Sequence, residues 1–203
     1  MTRLKDTAYP DFKAQISSSD LERNYSPTDE ELTFVQGLVS GPAPQTAMMV
    51  HLKMLQIMGR MLKLPEVPQQ VRDHIARCLT FARSPSLKEL GRFERSGNRA
   101  LKIKKLREFL DVKPLGEKGL AWIKHVAEQA AEVKHSVADI INVMLEELVR
   151  HRYELPAFST LDRAAYGARE QSNEQYFNSI SSKLGPRTKS MMGSPQKTEN
   201  KAR

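Results

Sequence analysis

Cysteine occurs once in the 203 residues, as Cys78. A single thiol excludes an internal disulfide framework and fits a reducing cytoplasm, where the chain is expected to reside. Cys78 follows Val71 and Ile75 at helical spacing, so it is read as a small buried hydrophobe rather than a nucleophile. The opening stretch, Met1 to Asp20, is polar and lacks the apolar centre of a secretory signal. No apolar run approaches the roughly 18–20 residues that a membrane span requires. The richest stretch, Ala47 to Leu62, is interrupted by His51, Lys53, Gln56 and Arg60. Glycine-rich phosphate loops and a G-x-S-x-G elbow are missing. The five histidines show no ligand spacing with one another or with Cys78. The 24 acidic residues fall mainly on solvent faces and helix caps. The expectation is therefore a chain that is not itself an enzyme, with no cofactor, no metal site and no membrane partner.

What is present is positive charge, unevenly placed. The formal net charge is +8. Residues 1–82 balance nine basic against nine acidic side chains. Residues 83–107 hold nine Lys or Arg against Glu89 and Glu94, a surplus of seven. Residues 108–184 carry a deficit of three, and residues 185–203 a surplus of four. Clustered cations gain from releasing the counterions condensed on nucleic acid, so the asymmetry points to a polyanion.

The pattern is helical throughout: Leu, Ala, Met, Glu, Lys and Arg dominate and period-2 alternation is missing. Residues 1–16 show no period and are read as a flexible tail. Ser26 and Pro27 open a helix carrying Leu32, Val35 and Leu38, which Gly41-Pro42 stops. The helix from about Pro44 to Leu62 has apolar residues nearly all round it, which predicts the central buried helix of the first half. Its methionines are read as core filler. Pro68 opens the next helix, with Val71, Ile75, Leu79 and Ala82. Ser84-Pro85 breaks it, Ser86 caps a short helix with Leu87, Leu90 and Phe93, and Ser96-Gly97-Asn98 marks a turn before a basic helix ending near Leu110. Short helix, turn and basic helix are the order of a helix-turn-helix unit.

At about 100° per residue, Ile103, Leu106 and Leu110 face the core, Lys104 and Lys105 point away, and Lys102 and Arg107 flank them. Leu101 falls on the exposed side, against another helix or a thymine methyl. Further helices are expected from Lys118 to Val133 (Leu120, Ile123, Val126, Ala127 and Ala130 inward, Trp122 as core packing), from Ser136 capped reciprocally by Asp139, and from a Ser159–Asp162 capping box. The last carries Leu161, Ala165, Phe177, Ile180 and Leu184. Residues 185–203 are read as a disordered basic tail.

Three stretches carry a family resemblance. RYELPAFSTLDR (Arg152 to Arg163), KIKKLREFLDVKPL (Lys102 to Leu115) and the helix from Asn24 to Leu38 occur in order across most of the chain. Together they resemble the N-terminal region of the replicative transposases of the Tn-three family. Lys102 stands where that family often has His, and Asp111-Val112 replaces a Gly-aromatic pair. The resemblance implies helical subdomains that recognise the terminal inverted repeats of a transposon. It places the catalytic core, with its three metal-binding carboxylates, in a part that follows this region. GPRTKSMMGSPQKTENKAR does not look like family sequence, so a truncation or a shifted reading frame after Leu184 is expected.

The sequence thus predicts an all-α chain: a tail over residues 1–16, a first helical subdomain over 17–82, a second over 83–184 containing the basic helix, and a tail over 185–203. The expected partner is double-stranded DNA, contacted by Arg92, Arg95, Asn98, Arg99, Lys102, Lys104, Lys105 and Arg107. Most contacts should position the protein on phosphates and one or two should read bases. A full-length transposase is a further expected partner or competitor. The rival readings are a helical domain that binds an acidic protein, a decayed transposase fragment, and a dimeric transcription regulator.

Overall fold

A computed structural model describes residues 2–81 and 83–183. The calls on Ala82, Leu184 and the tail over 185–203 lie outside the described residues. Among the described residues the chain is all-α, with nine α-helices and one isolated parallel bridge, between Lys113 and Tyr153. The helices are α1 (Ser18–Tyr25), α2 (Asp29–Leu38), α3 (Pro42–Met58), α4 (Gln69–Cys78), α5 (Leu87–Glu94), α6 (Arg99–Phe109), α7 (Gly116–Val133), α8 (Val137–Arg150) and α9 (Phe158–Lys183). None is long and apolar enough to cross a membrane.

Helix α3 is the axis of the first core, because apolar residues surround it on every side. Ala47, Met48, Met49, Val50, Leu52 and Met54 are all fully buried. Gly59 ends the helix in the left-handed region at φ 62°, a conformation that a side chain disfavours. Against α3 pack α1, α2, α4 and α5 through Leu21, Val35, Val71, Ile75, Leu90 and Phe93. The second core gathers α7, α8 and α9 through Ile123, Ala127, Ile141, Met144, Leu148, Leu161 and Ala165.

The boundary expected after residue 82 falls inside the span of the first core, since Leu90, Phe93, Ile103 and Leu106 all belong to it. The reason is local. The apolar stripe of α5 takes the nearest apolar surface, which α3 offers all round, and Ile103 and Leu106 of α6 follow it into the same core rather than waiting for α7.

The stretch expected to wander, residues 1–16, is instead ordered in its described part as a strap against both cores, with Leu4 and Tyr9 on the second and Phe12 and Ile16 on the first. Tyr9 is 4% exposed and donates its hydroxyl to the Pro156 carbonyl at 2.7 Å. Its ring meets Phe158 edge-on at 5.4 Å, and the Ala8 N–H donates to Asn142 Oδ1 at 2.8 Å. The Thr2 N–H donates to Asp162 Oδ1 at 3.3 Å. Asp162 is thereby engaged by the strap, and α9 starts at Phe158 without the expected capping box. Ser136 does cap α8 by position, but its side chain makes no cap bond. Leu120, expected inward, is 42% exposed, and Phe177 and Ile180 of α9 are 40% and 36% exposed. Helix α1, which no apolar period announced, is fixed by a capping box of Ser17 and Asp20.

The segment from Arg152 to Pro156 joins the two cores. The Leu155 N–H donates to the Gly59 carbonyl at 2.7 Å, and the Leu155 side chain lies where any Cβ on Gly59 would stand. The Lys113 N–H donates to the Arg152 carbonyl at 2.7 Å, and the Glu154 N–H to the Lys113 carbonyl at 2.8 Å. Glu154 accepts from the Met61 N–H at 3.1 Å through Oε1 and from Arg107 Nε at 2.8 Å through Oε2. One carboxylate therefore ties the end of α3, helix α6 and the approach to α9.

Candidate nucleic-acid interface

The charge surplus of residues 83–107 sits on α5, α6 and the turn between them. Ser86 opens α5 as its sequence suggests: its Oγ accepts from the Glu89 N–H, and Glu89 accepts from the Ser86 N–H at 2.8 Å. Glu89 is also gripped by the Arg83 guanidinium through two bonds of 3.0 and 2.6 Å. The Arg83 bonds, then those from Ser86, hold its carboxyl down at about 2. Leu90 and Phe93 turn inward, which leaves Lys88 and Arg92 on the outer side of α5, four residues apart and both exposed.

Residues 95–98 turn the chain, with the Arg99 N–H donating to the Ser96 carbonyl at 3.1 Å. Asn98 takes the N-cap position of α6 and its side chain makes no cap bond. Helix α6 is anchored by Ile103 and Leu106 in the first core. Phe109 stacks on Phe34 of α2, with ring centroids 4.1 Å apart and planes 12° from parallel.

The eight residues nominated from sequence divide by environment. Arg92, Arg95, Asn98, Lys104 and Lys105 are exposed. No ion pair engages Arg92, Arg95 or Lys105 among the described residues. Lys104 reaches Glu108 only at 3.9 Å, with side chains 73% and 62% exposed, a contact of little energy. Lys102 is half-buried, its ammonium 5.4 Å above the Phe93 ring. Arg107 is committed elsewhere, to Glu154 at 2.7 Å. Arg99 lies partly inward, its Nε buried without a hydrogen-bond partner. Lys88 extends the exposed cationic face although it was not nominated, and its four-residue spacing from Arg92 was the available signal.

Beneath the turn lies a buried polar residue, His51 of α3, with 0% side-chain exposure and neither ring nitrogen hydrogen-bonded. Burial, and next the positive charge of Arg99, push its imidazole down to about 3. It is therefore neutral near pH 7, and its 3.6 Å approach to Glu94 Oε1 is not an ion pair. The sign follows from a base whose folded value lies below its ordinary 6.5. The unfolded chain takes up the proton first, so stability is full above 6.5 and falls as pH drops towards 3. His51 should remove about 2 kcal/mol of stability between pH 7 and pH 5. Urea unfolding of wild type and His51→Leu at the two pH values checks this, the loss shrinking by about that amount in the variant and leaving the smaller share of His74, which burial also pushes down. A variant with the same pH slope as wild type would place the loss elsewhere.

His74 of α4 approaches Ser26 Oγ at 3.0 Å and Cys78 Sγ at 3.6 Å. Cys78 is half-buried rather than buried as expected. Trp122 is half-buried too, against His151 and Tyr153 with ring centroids 4.9 and 5.5 Å away. Among the described residues no three His, Cys, Asp or Glu are placed to hold a metal ion.

A family model described as a domain of unknown function, DUF4158, matches residues 1–168. The match covers both cores, and the chain belongs to that family. A search of curated proteins returns no match.

Proposed function

We propose that this DUF4158 member binds duplex DNA through the outer face of α5 and α6, as the end-recognition module of a transposase resembling the Tn-three family. The observation that carries the reading is the group of exposed cations at a helix–turn–helix junction, Lys88, Arg92, Arg95, Lys104 and Lys105, of which only Lys104 has an ion-pair partner among the described residues, the weak contact with Glu108. They extend from a rigid base, because Leu90 and Phe93 of α5 pack with α3 and Ile103 and Leu106 of α6 are buried in the same core. Positioned cations on a fixed scaffold suit phosphate contacts on both sides of a groove, with α6 in the groove itself. Arg107 serves the fold through Glu154, so the contact set narrows to Arg92, Arg95, Asn98, Lys102, Lys104 and Lys105, with Arg99 reaching the junction from beneath. The test is fluorescence anisotropy on a terminal-repeat duplex and on a scrambled duplex of equal composition. A preference of about tenfold, worth about 1.4 kcal/mol, supports specific end binding. Equal binding sinks it.

A further inference from the structure

We infer that Leu101 reads the 5-methyl group of a thymine. The inference rests on the duplex-DNA reading above and adds a specificity-determining residue to it.

Leu101 is 59% exposed and belongs to neither hydrophobic core. On a helix of about 100° per residue it lies opposite the bisector of Ile103 and Leu106, the two side chains that anchor α6. It therefore occupies the centre line of the outer face. Lys104 and Lys105, both exposed, follow one turn later and diverge to either side of that line. The neighbouring Ala100 is exposed and small, so it does not screen Leu101 from a surface approaching that face.

The arrangement pairs one apolar side chain with flanking cations. A leucine gains nothing from a phosphate, whereas the floor of the major groove offers one apolar feature, the thymine methyl, beside donors and acceptors. Leu101 is the third residue of α6, in the N-terminal turn from which groove-reading helices contact base edges. With Leu101 over a base edge, the two lysines sit at the height of the strands and their ammonium groups can reach phosphates on either side.

The experiment selects a preferred duplex for the whole chain from a random library. Each thymine in it is then replaced in turn by deoxyuridine, which removes the methyl and leaves the pairing edge unchanged. One or two positions should lower the affinity of wild type by about fourfold, the worth of one buried methyl. Leu101→Ala should lose that sensitivity at the same positions while keeping the salt dependence and unfolding midpoint of wild type. Sensitivity retained in Leu101→Ala, or no sensitive thymine in a selected sequence, overturns the role of Leu101 and leaves the duplex reading standing. Failure of the library to yield any preferred sequence overturns both.

Discussion

Replacing Lys104 and Lys105 together with alanine should lower the affinity for duplex DNA by roughly 60-fold at about 0.1 M salt. The magnitude follows from counterion release. Each phosphate contact contributes about 0.9 to the slope of log affinity against log salt, and so about 0.9 decades of affinity at that concentration. Two contacts multiply, and the slope becomes shallower by about two. Both side chains are exposed, and the Lys104–Glu108 contact at 3.9 Å adds almost nothing to the fold. The unfolding midpoint should therefore not move. An affinity within threefold of wild type would remove α6 from the interface. Arg107→Ala is the informative contrast, because its guanidinium holds Glu154 at 2.7 Å and its loss should show first in stability.

The largest stability effect is expected at Lys53. Its ammonium lies 2.7 Å from Glu31, both side chains are 6% exposed, and both sit inside the first core. Glu31 also accepts from Gln56 Nε2 at 2.6 Å and from the Thr28 N–H at 2.8 Å. Burial pushes the Glu31 carboxyl up, but Lys53, Thr28 and Gln56 together draw it below its ordinary value. Lys53→Met leaves that carboxylate buried with its charge uncompensated, at a cost of about 3–5 kcal/mol. Urea unfolding near pH 7 measures the loss. Adding Glu31→Leu should restore much of it, because the buried charge goes with its partner. A single variant within about 1 kcal/mol of wild type would mean that water reaches the pair and screens it.

The helices that were legible in the sequence are those whose apolar residues repeat cleanly. Helix α3 announced itself by being apolar all round, and its methionines are indeed core: Met48, Met49 and Met54 are fully buried. Ser86 and the Ser96–Asn98 turn marked the edges of α5 and α6, because local hydrogen bonding and turn chemistry fix them there. What stayed hidden depends on partners far away along the chain. Tyr9 has no periodic neighbours, yet it is buried by Pro156 and Phe158, some 150 residues on. Helical geometry placed Arg107 on the flank of α6 but carried no sign of Glu154, 47 residues later. Asp162 has the spacing of a capping box with Ser159, but α9 starts one residue before Ser159, at Phe158, and Asp162 accepts from the Thr2 N–H.

One of the three stretches that carried the resemblance, Arg152 to Arg163, proves to include the junction of the two cores. Arg152 adopts φ 56° there, and Leu155 seats on Gly59, itself at φ 62°. A segment with such demands admits few sequences, which explains why it stands out. That is a statement about the fold. The candidate interface has no such constraint, since exposed lysines and arginines satisfy the fold in many arrangements.

Duplex recognition by the outer face of α5 and α6 can be measured by anisotropy of the whole chain on a terminal-repeat duplex and its scrambled counterpart over a range of salt. The expected result is a preference of about tenfold or more for the repeat, and a slope of log affinity against log salt near −4 to −5 for about five phosphate contacts. Equal affinity for the two duplexes with a slope near zero would contradict it and favour an acidic protein as the partner of this face.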